Sequence, residues 1–164
     1  MYAIKEATVA DTDAIISIAS ETYWSVYEPI LTRGQITFML GTIYSVETIS
    51  GQIENNAQSF LLLLEDEEPV AFAAYSPRTE NPEVYKLHKL YCLPKTQGKG
   101  YGKVLLNAVA GKVKEAGKNT LDLNVNRYNN AKTFYEKMGF EVIYEEDIPV
   151  GEYWMNDFVM RKNF

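Results

Sequence analysis

Along the chain the spacing of apolar residues switches between two and three-to-four, and the switches mark out the elements. Tyr2–Ala7 alternates apolar and polar residues and predicts a strand. Thr8, with Asp11 three residues on, predicts a helix start, after which Ile15, Ile16, Ala19 and Tyr23 share one helical face. "EPILTRGQ" breaks this pattern. Thr32 then caps a second helix with Ile36, Met39, Leu40 and Ile43 inward, and a short third helix follows around Val46–Asn55. Gln58–Glu65 and Pro69–Ser76 are apolar strands joined by the acidic turn "EDEE", a hairpin pattern, and "SPRTENPE" is a loop. Glu83–Leu93 predicts a long strand that stops at Pro94. Val104, Leu105, Ala108, Val109 and Val113 repeat at helical spacing until Gly117. Thr120–Asn126 alternates again, Asn129–Met138 is a helix ended by Gly139, and Phe140–Tyr144 and Tyr153–Met160 close the chain as strands. The order β-α-α-β-β-β-α-β-α-β-β describes a mixed α/β layer.

One junction in that order carries chemistry. "QGKGYGKVLL", Gln97 to Leu106, sets three glycines at alternate positions between a strand and a helix. Such a backbone admits positive φ and close approach of a ligand, and the helix start aims free N–H groups at an anion. A phosphate cradle is the first reading, but two familiar cradles fail on spelling. A Walker loop needs glycine where Gln97 stands and Ser or Thr where Val104 stands; the dinucleotide fingerprint needs glycine where Lys103 stands.

Composition narrows the field. With 164 residues and 46% apolar content, the chain is expected to form one domain, 1–164, with a substantial core and no disordered tract. Met1 leads straight into the first strand, so no signal peptide is expected, and the apolar burst Phe60–Leu64 is too short to span a bilayer. A single cysteine, Cys92, fits a reducing cytoplasm, and no membrane partner is expected. A net charge of −6 argues against a nucleic-acid binder. Its distribution is more informative: residues 1–85 hold thirteen acids against three basic residues, whereas residues 86–118 hold eight lysines and one acid. The basic excess surrounds the glycine loop and points to a polyanionic small molecule.

"LHKLYCLPKTQGKGYGKVLL" and "AKTFYEKMGF" (Ala131 to Phe140) together resemble the two motifs of the GNAT N-acetyltransferases. Gln97, Gly100 and Gly102 fall on the signature positions of the first. The resemblance implies a single-domain GNAT-like α/β fold, with a mixed central sheet, a splayed pair of strands and helices on both faces. It implies acetyl-CoA as donor and no metal. Gly98, Lys99, Gly100, Tyr101, Gly102 and Lys103 would wrap the pyrophosphate, and the main chain of Leu90, Tyr91 and Cys92 would pair with the pantetheine arm. Lys95, Lys99 and Lys103 add long-range attraction.

The implied reaction is direct attack of a neutral amine on the thioester, which needs a base for the amine proton and an acid for the departing thiolate. Tyr135 matches the family's acid. His88, the only histidine, lies two residues before Leu90 on the same strand face and is the candidate base, with Glu83 and Glu28 weaker ones. Each also has a plain structural reading: Tyr135 as a core ring beside Phe134, His88 as a hydrogen-bonded strand residue. Cys92 invites an acetyl-enzyme, but an interior strand cysteine is more often inert packing. Many relatives carry a cofactor-holding asparagine where Tyr128 stands here, so Asn126 or Asn129 would take that role.

Acceptor candidates are Tyr23, Trp24, Tyr27 and Glu28 on one side, with Tyr153 and Trp154 among the acids of the terminal strands (Glu145, Glu146, Asp147, Glu152) on the other. Aromatics with carboxylates suit a cationic amine, and "EYWMNDFVM" is similar to the tail of the spermidine/spermine acetyltransferase branch. The expected partner is thus a small-molecule amine, a polyamine on this reading. A protein lysine or N-terminus as acceptor, a non-catalytic CoA-binding sensor, and a homodimer formed through edge strands all remain open at this point.

Overall fold

The computed structural model describes residues 1–164. Strands β1 (Tyr2–Glu6), β2 (Ser59–Glu65), β3 (Glu68–Pro77), β4 (Tyr85–Cys92), β5 (Thr120–Asn126), β6 (Glu141–Val150) and β7 (Tyr153–Asn163) form one sheet in the order β1-β2-β3-β4-β5-β7-β6. Every pairing is antiparallel except β4 with β5. The helices are α1 (Thr12–Tyr27), α2 (Arg33–Ile43), α3 (Val46–Glu54), α4 (Tyr101–Glu115) and α5 (Ala131–Lys137). No helix is long and apolar enough to cross a membrane.

Strand alternation places the helices on two faces. Tyr91 packs against Tyr23 of α1, whereas its neighbour Cys92 lies under Gly102 of α4. Adjacent strand residues point to opposite faces, so α1 and α4 cover opposite sides of the sheet. The core follows: Ile15 and Ala19 on α1, Leu105, Val109 and Val113 on α4, and Phe72 between the layers are fully buried. Burial of this apolar surface is the main driving force for folding.

Most expected elements form, with informative differences at their ends. Thr8 and Asp11 do bond reciprocally, the Thr8 N–H donating to the Asp11 carboxylate at 2.8 Å, but they cap a 3₁₀ turn at Val9–Asp11 before α1 begins. The Thr32 hydroxyl accepts the Gln35 N–H at 3.1 Å as an N-cap should. Leu40 and Ile43 are only half-buried, and Gln35 takes the inward place by donating to the Trp154 carbonyl at 2.7 Å. The hairpin turn is Asp66–Glu67, both at positive φ, the geometry that matches the twist of its strands. Glu83 and Val84 belong to a turn on Asn81 rather than to β4. The largest difference is β6, which runs to Val150 instead of stopping at Tyr144. Its acids follow the apolar stretch that predicts the strand, an edge strand leaves them in water, and Pro149 there costs no ladder bond.

Two irregularities position the site. β4 pairs with β5 over only Tyr85–Leu87 against Leu121–Leu123, after which the two strands part. On its other edge β4 is a residue out of step with β3: Ala74 faces Lys89 while Tyr75 faces Leu87, so His88 is the extra residue of a bulge. Opposed residues share a face. Lys86, Lys89 and Tyr91 therefore join Ser76, Ala74 and Phe72 on the α1 side, while Leu87, Leu90 and Cys92 join Tyr75, Ala73 and Ala71 on the α4 side. The expected pairing of His88 with Leu90 on one face does not form, because the bulge interrupts the two-residue repeat.

Asp122 stands just below the fork, in the stretch where β4 and β5 still pair. Its carboxylate is wholly buried and accepts from Arg78 at 2.9 Å and from Arg161 at 2.7 and 2.9 Å, tying the end of β3 to β7 across β5. Asp122→Ala should cost about 2–4 kcal/mol, toward the low side for a broken buried pair because both guanidiniums keep some water. Urea unfolding measures this directly; an unchanged midpoint would show that the fork does not depend on the carboxylate.

Candidate active site

The glycine loop closes a 3₁₀ turn, Pro94–Thr96, and starts α4. Gly98 and Gly100 sit at φ +85° and +78°, and an added Cβ at either would meet nothing within 4 Å. Their requirement is therefore conformational, since side chains with a Cβ rarely adopt this region. Gly102 is different. It is helical, and its Cβ would lie 3.5 Å from the Phe134 ring and 4.0 Å from Cys92 Sγ, so it lets α4 approach α5 and β4. The turn leaves the first N–H groups of α4 free at the mouth of a groove of about 560 Å³.

The lysines around this groove are unequal. Lys99 pairs with Glu65 at 2.6 Å, a carboxylate that also accepts from the Tyr101 hydroxyl, and Lys95 pairs with Glu68 at 2.7 Å. Lys103 makes no ion pair and lines the groove beside Gln97, so it is the cation left for a phosphate. The loop is thereby stapled to the end of β2 while one positive charge stays available.

Beyond the loop, the groove runs along Leu90 and Cys92 to Tyr135. There it meets a passage of about 210 Å³ between the parted strands, also lined by Leu90, Cys92, Ala131 and Tyr135. The passage in turn shares Tyr27, His88, Lys89 and Tyr91 with a third cavity of about 300 Å³ on the α1 side. Groove, passage and cavity thus adjoin in series through shared wall residues, from the α4 side of the sheet to the α1 side.

Tyr135 is buried where groove and passage meet, held edge-on between Phe134 and Phe140 at 5.2 and 5.9 Å. Its hydroxyl makes no hydrogen bond within the chain. Burial first, and the nearby Cys92 second, push its pKa well up, so it keeps its proton. Burial likewise pushes the Cys92 thiol up to about 11, which leaves little thiolate for an acetyl-enzyme. His88 bonds Ser76 Oγ at 2.7 Å. Burial, then the charges of Lys86, Lys89 and Arg78, hold its imidazole down to about 3, so it is neutral at physiological pH and a weak base. Asn126 Oδ1 accepts the Tyr128 N–H, and Asn129 Oδ1 accepts the Ala131 N–H at the start of α5; Asn129 lines the passage and Asn126 the α1-side cavity, away from the glycine loop.

Of the expected acceptor residues, Tyr23 and Tyr27 line the α1-side cavity. Trp24 instead stacks with Arg33 at 5.0 Å, Tyr153 packs on Phe38, Glu28 is exposed, and Trp154 is 55% exposed. The acids of β6 also lie outside the cavity, with Asp147 and Glu145 paired to Arg127. Two residues missing from the sequence reading stand out. Asp157, 5% exposed, lines the cavity; Asn124 donates to its Oδ2 at 3.2 Å, its Oδ1 has no partner, and burial raises its pKa. Lys89, 4% exposed, donates to Gln58 at 2.6 Å and Gln52 at 3.1 Å with no carboxylate near. Strand alternation in "EYWMNDFVM" does put Asp157 on the inward face with Met155 and Val159, and that was the available signal.

Comparison with known proteins agrees with this geometry. Residues 28–163 match the family model of the acetyltransferase (GNAT) domain. Over its full length the chain superposes on the PaiA N-acetyltransferase of Thermoplasma acidophilum, solved in complex with coenzyme A, at TM-score 0.86 and 26% identity, covering 99% of that chain. A [ribosomal protein bS18]-alanine N-acetyltransferase of Haemophilus influenzae is 32% identical over 96 residues, which is 57% of this chain and 64% of that relative's length. An uncharacterized N-acetyltransferase of Mycobacterium tuberculosis is 26% identical over 93% of this chain and 97% of its own. The chain belongs to the GNAT acetyltransferase family. Acetyl-CoA-dependent N-acetyl transfer is the activity at that level, with acetyl-CoA as the donor.

Gly100→Val should weaken coenzyme A binding at least about tenfold, since forcing a β-branched residue into positive φ costs about 1–2 kcal/mol and distorts the cradle. Calorimetric titration of a variant that still melts cooperatively checks this; full affinity would exclude the loop as the phosphate site.

Proposed function

We propose that the protein acetylates a primary amine held in the α1-side cavity, with donor and acceptor meeting from opposite faces through the parted strands. The shared walls of groove, passage and cavity, with Tyr135 between the first two and His88 between the last two, carry this reading. The acceptor nitrogen attacks the thioester carbon, the C–S bond breaks, and the departing thiolate takes the Tyr135 proton. The amine proton passes to Asp157, whose raised pKa and unpartnered oxygen suit a base better than the cation-flanked His88. His88, neutral, positions the amine through its ring nitrogen. The products are the N-acetyl amine and the free thiol, and no acetyl-enzyme on Cys92 intervenes.

A polyamine acceptor has less support than the composition suggested, because Glu145, Glu146 and Asp147 lie on the exposed edge strand and Asp157 alone of the terminal-strand acids lines the cavity. A protein N-terminal α-amine is the second reading, favoured by the likeness to the bS18-alanine acetyltransferase. Free-thiol release with a short peptide set against a small amine separates the two.

Tyr135→Phe should lower kcat by about 10²–10⁴-fold while leaving CoA affinity intact. Full turnover in this variant would remove Tyr135 as the acid, and a wild type that binds acetyl-CoA yet acetylates no amine would make the protein a sensor.

The pH profile tests the base. Asp157 acts only when ionised, and its pKa is raised, so kcat/KM should fall as pH drops through a value above the ordinary aspartate range. Asp157→Asn should abolish that limb and His88→Gln should retain it; the reverse result would return the role to His88.

A further inference from the structure

The α1-side cavity has an unusual charge pattern for a site that must accept an amine. Its wall carries a single acid, Asp157, and two lysines, Lys86 and Lys89, brought to one face by the bulge at His88. An ammonium has an evident partner in the unpartnered Asp157 Oδ1. Lys89 has no charged partner of its own. Two amide oxygens, Gln58 and Gln52, take two of its three protons, and the rings of Phe60 and Tyr44 lie 5.2 and 6.0 Å from its Nζ. Neutral oxygens and ring faces stabilise a buried cation far less than a carboxylate does. Burial alone accounts for the lowering of its pKa to about 8, with no nearby acid opposing it, so near neutral pH it stays largely protonated and uncompensated.

We propose that the acceptor is an amine that also carries a carboxylate, its ammonium end facing Asp157 and its carboxylate end facing Lys89. The proposal rests on the reading of this cavity as the acceptor site and adds the chemical class that the site selects. A polycation would bring further positive charge to a wall that already holds two lysines and one acid. A zwitterion instead gives each buried charge its opposite. Lys86, on the same face and within the field of Asp157, adds to the attraction for an anionic group.

Binding to the CoA-saturated protein tests this without requiring turnover, and the bound CoA keeps carboxylates out of the groove. The probes are ω-amino acids from β-alanine to aminocaproate and the diamines of equal chain length, titrated calorimetrically. At least one ω-amino acid should bind about tenfold or more tightly than its matching diamine. Lys89→Met keeps the aliphatic stem and removes the charge, and should erase that preference. Gln58→Glu keeps Lys89 but supplies an internal carboxylate, and should erase it too, which covers the case in which Lys89→Met fails to fold. Diamines binding as tightly as the amino acids, or a preference that survives in either folded variant, would overturn the proposal. Thiol release from acetyl-CoA is followed separately. A zwitterion preference without acetyl transfer would leave the charge class standing and sink the catalytic reading, whereas acetyl transfer with a diamine preference would do the opposite.

Discussion

The parallel contact between β4 and β5 ends after three residue pairs, and the rest of the site depends on that ending. A main chain leaving a ladder exposes donors and acceptors that need other partners. Here the stretch from Leu90 to Cys92 keeps its β3 neighbour on one edge and loses β5 on the other. An amide-bearing arm of coenzyme A can complete that open edge as a missing strand would. Below the fork, the buried carboxylate of Asp122 holds two arginines from flanking strands, so the separation above it is a local feature of a well-tied sheet.

The same opening organises the chemistry. Groove and cavity lie on opposite faces of the sheet, each sharing walls with the passage where the strands have parted, and Tyr135 lines both groove and passage. Burial acts on the ionisable groups there in one direction, toward their neutral forms. A phenol that holds its proton suits a leaving thiolate, and a thiol that holds its proton does not compete for the acetyl group. An imidazole beside two lysines gains little by accepting a proton, whereas a carboxylate pressed the same way gains more.

Much of this could be read from residues in order. The glycine loop, the helix after it and the Ala131–Phe140 motif are local patterns whose meaning needs only neighbours in sequence. The hairpin around Asp66 and the cap at Thr32 are local too. What escaped was set by pairing. The length of β6 depends on its place at the sheet edge, where charge is tolerated. Lys89 was read as one more lysine of a basic strip, because nothing in "KLHKLYC" announces that Gln52 and Gln58, from distant segments, close over it. Tyr23 and Trp24 are adjacent aromatics on one helix, yet only the first faces the cavity, since neighbouring positions point about 100° apart.

The bulge at His88 gives strand length a meaning that composition lacks. Pairing counts residues, and with one extra residue the strand's two halves follow opposite alternations. Taking His88 out of the chain would do more than delete an imidazole. It would restore an unbroken two-residue repeat with Lys86, Lys89 and Tyr91 still on the α1 side and Leu87, Leu90 and Cys92 still on the α4 side. Drawing His88 into the ladder instead would turn Lys86 to the α4 side and Leu87 to the α1 side. The bulge therefore holds one residue outside the alternation, and two lysines three positions apart share a face because of it.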